Sequence, residues 1–364
     1  MMAPRAAAVP RATAAPRAPK TPEPAEELDL LVGEVLTTLL QNSHRVGAAT
    51  AATLLDIVPG GRVRSATRPM AHAFSPDVRV GVHCPLATAS GTRADGAGTV
   101  VARASVTGGT VLQASSRARL IRAVGERRLP WSHYVANPGT VEVVGRSTED
   151  DLAAGFLTAP TRASLDLGAV SGRLLGRVQR SPGIDRVASL RARRTKLRFA
   201  VSWRSFDSPL LPQSARSVEF VIHDETLRTL RLRLGRCDPS DAVAACEDLA
   251  FHDWLLSTVE ALLDNSRIGV DSAPEVVRRF RPVIDRLLHL WMPGARVVEE
   301  LAEVWGALER RPGFSREWAS LTGQIRDQLM LAGLEPPSDR SARDRTAGAD
   351  QGAARKTLSA CDRD

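Results

Sequence analysis

Apolar and polar residues alternate with a period of two along residues 197–234. In Leu197–Trp203, the residues Leu197, Phe199, Val201 and Trp203 share one face, and Arg198, Ser202 and the following Arg204 share the other. Ser217–His223 directs Val218, Phe220 and Ile222 inward and Glu219 outward. Thr226–Leu234 directs Leu230, Leu232 and Leu234 inward and Arg231 and Arg233 outward. This alternation predicts three strands of a half-buried antiparallel sheet. Upstream, shorter stretches broken by glycine turns predict strands Val78–Cys84, Gly98–Val106, Thr110–Gln113 and Thr140–Gly145. Leu28–Leu40 fits both helix and strand periods. The break at Gln41-Asn42-Ser43 favours a strand, followed by a helix over Gly47–Val58. Ser147 suits the N-cap of a short helix through Phe156, with Glu149, Asp150 and Asp151 in its first turn.

Beyond Asp238-Pro239 the apolar period lengthens to 3.6. Ser240 opens a helix to about Asn265 with Val243, Cys246, Ala250, Trp254 and Thr258 on one face. A second helix follows Ser272 and carries Val277, Phe280, Ile284, Leu287 and Trp291, with Pro282 kinking it or setting its start. A third carries Val297, Leu301, Trp305 and Leu308. A fourth begins at Ser315 and carries Trp318, Leu321, Ile325 and Leu329. Four amphipathic helices with short links predict a bundle, with Trp254, Trp291, Trp305 and Trp318 as anchors in or near its core. The expected fold class is α+β: an antiparallel strand-rich body over 28–237, then a helical bundle module over 238–334. Residues 1–27 (Ala/Pro/Arg-rich) and 335–364 are expected to be disordered tails. Arg5, Arg11 and Arg17 fit an arm for an anionic surface, and equally a start codon assigned upstream of the true one.

Charge reverses at the same boundary. Residues 28–237 hold 29 Lys/Arg against 16 Asp/Glu, and residues 238–334 hold 10 against 16. Such asymmetry suggests an anionic partner for the body, or docking of the basic sheet against the acidic helices. The densest cationic stretch, Arg173–Arg204, has ten Lys/Arg and one acid, Asp185. Candidate anion-binding residues are Arg191, Arg193, Arg194, Lys196, Arg198 and Arg204, extended by Arg231 and Arg233 if the strands pair. The outward positions lack the aromatics on which single-strand binders stack bases, so a solvated face is the favoured reading and nucleic acid is not the favoured partner.

Other motifs are weak. The glycines of Ser90–Thr99 lack the Lys and the following helix of a phosphate loop. A helix-turn-helix reading of the last two helices, offering Arg316, Ser320, Gln324 and Arg326, meets the wrong net charge. His223-Asp224 and His252-Asp253 are sequence neighbours, which diverge on strand or helix and do not form a dyad. Cys84, Cys237, Cys246 and Cys361 have no paired spacing, so no disulfide framework or metal site is expected. With no GxSxG, HExxH or paired-carboxylate signature, no catalytic residue or cofactor is assigned, which lowers the enzyme reading without excluding it. No apolar stretch reaches membrane-span length and no secretory core is present, which gives a cytoplasmic expectation.

Gly33-Glu34-Val35, Leu39-Leu40-Gln41-Asn42-Ser43, Leu129–Tyr134 and Leu290–Arg296 carry a resemblance over roughly residues 28–333. By them the chain resembles an actinobacterial family of conserved, uncharacterised proteins, encoded beside a variant P-loop protein and a methyltransferase-like protein. The resemblance implies a component of a multi-protein system and no catalytic residue. The expected function is protein binding or scaffolding without catalysis. The alternatives are phosphate or nucleic-acid binding through Arg173–Arg204, and an enzyme whose site is assembled across sheet and helices.

Overall fold

The computed structural model describes residues 28–125, 127–158, 164–203, 217–235, 237–266 and 272–334. Arg204, Cys361 and both tails lie outside them. The fold is α+β, with one ten-stranded mixed sheet and a helical C-terminal part. The strands are β1 (Asp29–Leu39), β2 (Arg64–Ala66), β3 (His72–Phe74), β4 (Val78–Leu86), β5 (Ala94–Thr107), β6 (Val111–Arg122), β7 (Thr140–Gly145), β8 (Thr195–Trp203), β9 (Ser217–Ile222) and β10 (Leu227–Leu234). The helices are α1 (Ala48–Leu55), α2 (Trp131–Ala136), α3 (Glu149–Thr158), α4 (Leu167–Gln179), α5 (Pro239–Asp264), α6 (Ala273–Arg286), α7 (Ala302–Arg310) and α8 (Phe314–Leu334). The sheet runs β2-β3-β5-β7-β6-β1-β8-β10-β9, with β4 also on β5. Two of its pairings are parallel, β6–β7 and β8–β10.

The central strand explains its own ambiguous pattern. Leu31, Val35 and Leu39 join the apolar cluster beneath α5–α8, while Leu30, Val32 and Leu36 join a second cluster beneath α1, α3 and α4. A strand covered on both faces has no polar side to reveal its period. β8 is covered in the same way, so Arg198 and Ser202, expected to face outward, are buried at 6% and 5% exposure. At Gly33 the Phe199 ring of β8 fills the space of a side chain: a Cβ there would lie 2.1 Å from the ring. The β5–β6 hairpin turns on Gly108 and Gly109, both at positive φ (60° and 64°).

α5 lies between the sheet and α6–α8, and nearly its whole surface is buried. Asp238 caps it by accepting from Ser240 N. One apolar cluster joins Phe199, Leu230 and Leu232 of the sheet to Phe251, Trp254, Phe280 and Trp318 of the helices. Two buried ion pairs also cross from basic sheet to acidic helix. Arg103 donates to Glu247 through Nε (2.9 Å) and Nη2 (2.5 Å), and Arg228 Nε donates to Asp253 at 3.0 Å. Trp254, Trp305 and Trp318 are buried, and Trp291 stacks on Trp318 with centroids 4.5 Å apart.

α2 and α4 went unforeseen, and α6 ends at Arg286, short of Trp291. From there a 3-10 turn over Leu288–Leu290 leads into a loop pinned by α5. Asp248 accepts from Gly294 N (2.9 Å) and Arg296 Nε (3.1 Å), and Met292 N donates to His252 Nε2 (3.2 Å). His252 therefore works with Asp248, one helical turn away, rather than with neighbouring Asp253. Ser90, in the glycine-rich stretch, is held through its N–H and hydroxyl by Asp151 of α3. No helix among the described residues is long and apolar enough to cross a membrane.

Candidate docking groove between two C-terminal helices

The cationic residues singled out by sequence do not converge on one open surface. Arg198 Nε and Lys196 Nζ lie 3.2 and 3.4 Å from the carboxylate of Glu34, itself 1% exposed. α4 closes over this group: a Cβ on Gly168 would sit 2.1 Å from Glu34 Oε1. Arg231 and Arg233 share Asp150 of α3 at 2.5 and 3.2 Å. Arg193 pairs with Glu225, and its carbonyl accepts from Trp254 Nε1 at 2.8 Å. Arg191 and Arg194 are exposed on the loop before β8.

A concavity lies elsewhere, a groove of about 780 Å³ between α6, α8 and the loop after α4. α6 starts on a capping box, with Ser272 N and Oγ both donating to Glu275 Oε2 (3.0 and 2.9 Å). Its buried side is Phe280 and Val283, followed by Leu287 just beyond the helix. Val277 (47% exposed) and Ile284 (39%) stand away from that core, contrary to the stripe expected from sequence. Residues seven apart complete nearly two turns, so this pair forms a second apolar strip on the same helix. Val277, Pro274 and Pro282 of α6 face Leu329 and Ala332 of α8 across the groove. Met330 (60%) and Leu331 (55%) are exposed on other faces of α8, outside the groove. Pro282 has no N–H to return to the Arg278 carbonyl, which leaves a backbone acceptor on the groove wall.

The floor is a knot of loops. The Asp185 carboxylate accepts from Ser43 N (3.0 Å), the Ser43 hydroxyl and Val187 N (2.9 Å). The Ser43 hydroxyl bond, then that from Val187, holds the Asp185 carboxyl below its ordinary range. Asn42 Oδ1 accepts from Asp185 N (3.0 Å), and Arg286 donates to the Ser43 carbonyl. Arg45 contacts His289 Nε2 at 2.6 Å and donates to the Gly108 carbonyl at 3.2 Å. Burial, then the Arg45 charge, lowers the His289 pKa and favours the neutral ring as acceptor. So Gln41-Asn42-Ser43 ties β1 to α6 and to the loop after α4.

The rim is cationic. Arg278, Arg281 and Arg286 line the groove against Asp285, which sits 3.6 Å from Arg281 in an exposed i,i+4 pair. Among the described residues the groove is thus an apolar trough with a charged rim. No family model, no curated protein and no solved structure matches this chain.

Proposed function

We propose that this chain is a non-catalytic docking component of a multi-protein assembly, and that a partner protein seats in the α6–α8 groove. The observation that carries the reading is the apolar trough of Val277, Pro282, Leu329 and Ala332, bordered by exposed Ile284 on the same strip as Val277. A folded chain keeps large apolar side chains contiguous at its surface when another surface covers them. The loop knot and the capping box hold the α6 wall before any partner arrives, which reduces the ordering cost of association. The sequence resemblance to proteins encoded beside P-loop and methyltransferase-like neighbours agrees with a place in such an assembly.

The test is site-specific photocrosslinking in the native host. A photoreactive residue at Val277 is expected to give one adduct of defined mass, identifiable as the same protein in repeated preparations and abolished by Leu329→Asp across the groove. The same probe at Val124, which is 99% exposed, is the control. Identical adducts from the two positions, or none from Val277, would remove the reading.

A further inference from the structure

We infer that the segment of the partner seated in this groove is an acidic amphipathic helix, an assignment that rests on the docking reading above. Three observations carry it. The groove is bounded by two helices and a loop rather than by a strand, so an extended peptide finds no strand edge to add to. The recognition mode left is insertion of side chains from an apolar helix face. In length, the fourteen residues of α6 span roughly 21 Å, which matches a partner helix of about four turns.

The third observation is charge. Residues 238–334 are acidic overall, yet Arg278, Arg279, Arg281 and Arg286 fall within one helix that has two acids, Glu275 and Asp285. Three of those arginines line the groove, and Arg278 and Arg281 are exposed. Asp285 offsets one of them. A basic helix would meet the cationic rim and scatter over the acidic remainder of the segment. An acidic helix is drawn to the groove and repelled beside it, so the same charges supply attraction and exclusion. The partner therefore carries apolar residues at i, i+3 or i+4, and i+7, flanked by Asp or Glu. A hydroxyl or amide donor would suit the Arg278 carbonyl left open by Pro282.

The probe is a displayed library of sixteen-residue helices with a fixed apolar face and randomised flanks, selected against the whole chain. Expected is enrichment of Asp and Glu at the flanks. Individual binders should weaken tenfold or more on Arg278→Glu/Arg281→Glu, and regain affinity there when their acids are changed to Lys. Melting temperature checks that the variant is folded, and Arg278→Gln/Arg281→Gln supplies an intermediate step. Neutral or basic enrichment, or acidic binders indifferent to both variants, would overturn the inference. So would a peptide of this chain's residues 335–364 displacing the binders at equal affinity, or anionic vesicles competing in place of peptides. A partner adduct at Val277 combined with a non-acidic library leaves docking intact and overturns the acidic helix. Absence of both results removes the docking reading itself.

Discussion

Glu247 is the residue on which the contact between sheet and α5 can be weighed. Its carboxylate is 5% exposed and receives two bonds from Arg103 and one of 2.5 Å from Ser115 Oγ, while Gln113 Nε2 bonds its carbonyl at 2.9 Å. Burial alone would raise its pKa. The Arg103 charge and bonds, then Ser115 and Arg296, outweigh it and hold Glu247 below the ordinary value. Glu247→Ala strands a guanidinium that is 11% exposed and leaves the Ser115 hydroxyl without this partner. Removing one member of a buried pair costs about 3–5 kcal/mol. Replacing both in Arg103→Met/Glu247→Leu removes the stranded charge, so the double variant should return to within about 1–2 kcal/mol of the parent. The assay is urea unfolding followed by the summed fluorescence of the six tryptophans, closed as a double-mutant cycle. A loss under 1 kcal/mol for Glu247→Ala, or a cycle with no coupling, would refute the reasoning. Because the folded pKa is lowered, this group's stabilisation is present above the unfolded value near 4.3 and is lost as pH falls through the folded one.

Asp253 behaves in the opposite sense. Burial raises its carboxyl to about 6 against the pull of Arg228, so its contribution is fully present below about 3.9 and is lost as pH rises through about 6. Relative to Asp253→Asn, the parent should lose about 2 kcal/mol between pH 4 and pH 7; a pH-independent difference in unfolding free energy contradicts this. Gly33→Ala drives a methyl into the Phe199 ring and should cost about 1–3 kcal/mol, read as a lowered melting temperature and rescued in part by Phe199→Leu. Val277→Asp should change stability by less than about 0.5 kcal/mol, because the side chain is half exposed. The same substitution should abolish the partner adduct formed by a photoreactive residue at Leu329; a destabilised chain with unchanged crosslinking would show the side chain to be structural.

Much of the fold was legible because its periods are clean. β8, β9 and β10 announced themselves by alternation, and α5 began at the Asp238-Pro239 break. Which face was covered was not legible. Arg198 reads as an outward charge until Glu34, 164 residues earlier, is brought against it. α4 was hidden in the cationic stretch, because Arg173 and Arg177 drew attention from the Leu167, Val170, Leu174 and Val178 spacing that buries it. α2 has six residues and too short a period to register. The groove was half legible. Val276, Phe280, Val283 and Leu287 form the buried spacing, and Val277 with Ile284 remain as a surplus strip. A sequence shows two strips, and only the packing of α8 decides which one is left open.

The position of α5 in the chain bears on how the protein is made. The sheet face formed by Leu31, Val35, Phe199, Val201, Leu230 and Leu232 is complete once residue 234 has been synthesised, but α5 ends thirty residues later. At roughly 5–20 residues per second, that apolar face waits about two to six seconds for its cover. Over that interval the nascent chain presents the ribosome's surroundings with an aggregation-prone surface that a holding chaperone would shield. The groove needs Leu329 and Ala332 and so exists only after some hundred further residues. The groove therefore forms only after α5 has covered the sheet, and a chain stalled with its sheet uncovered has no groove to offer.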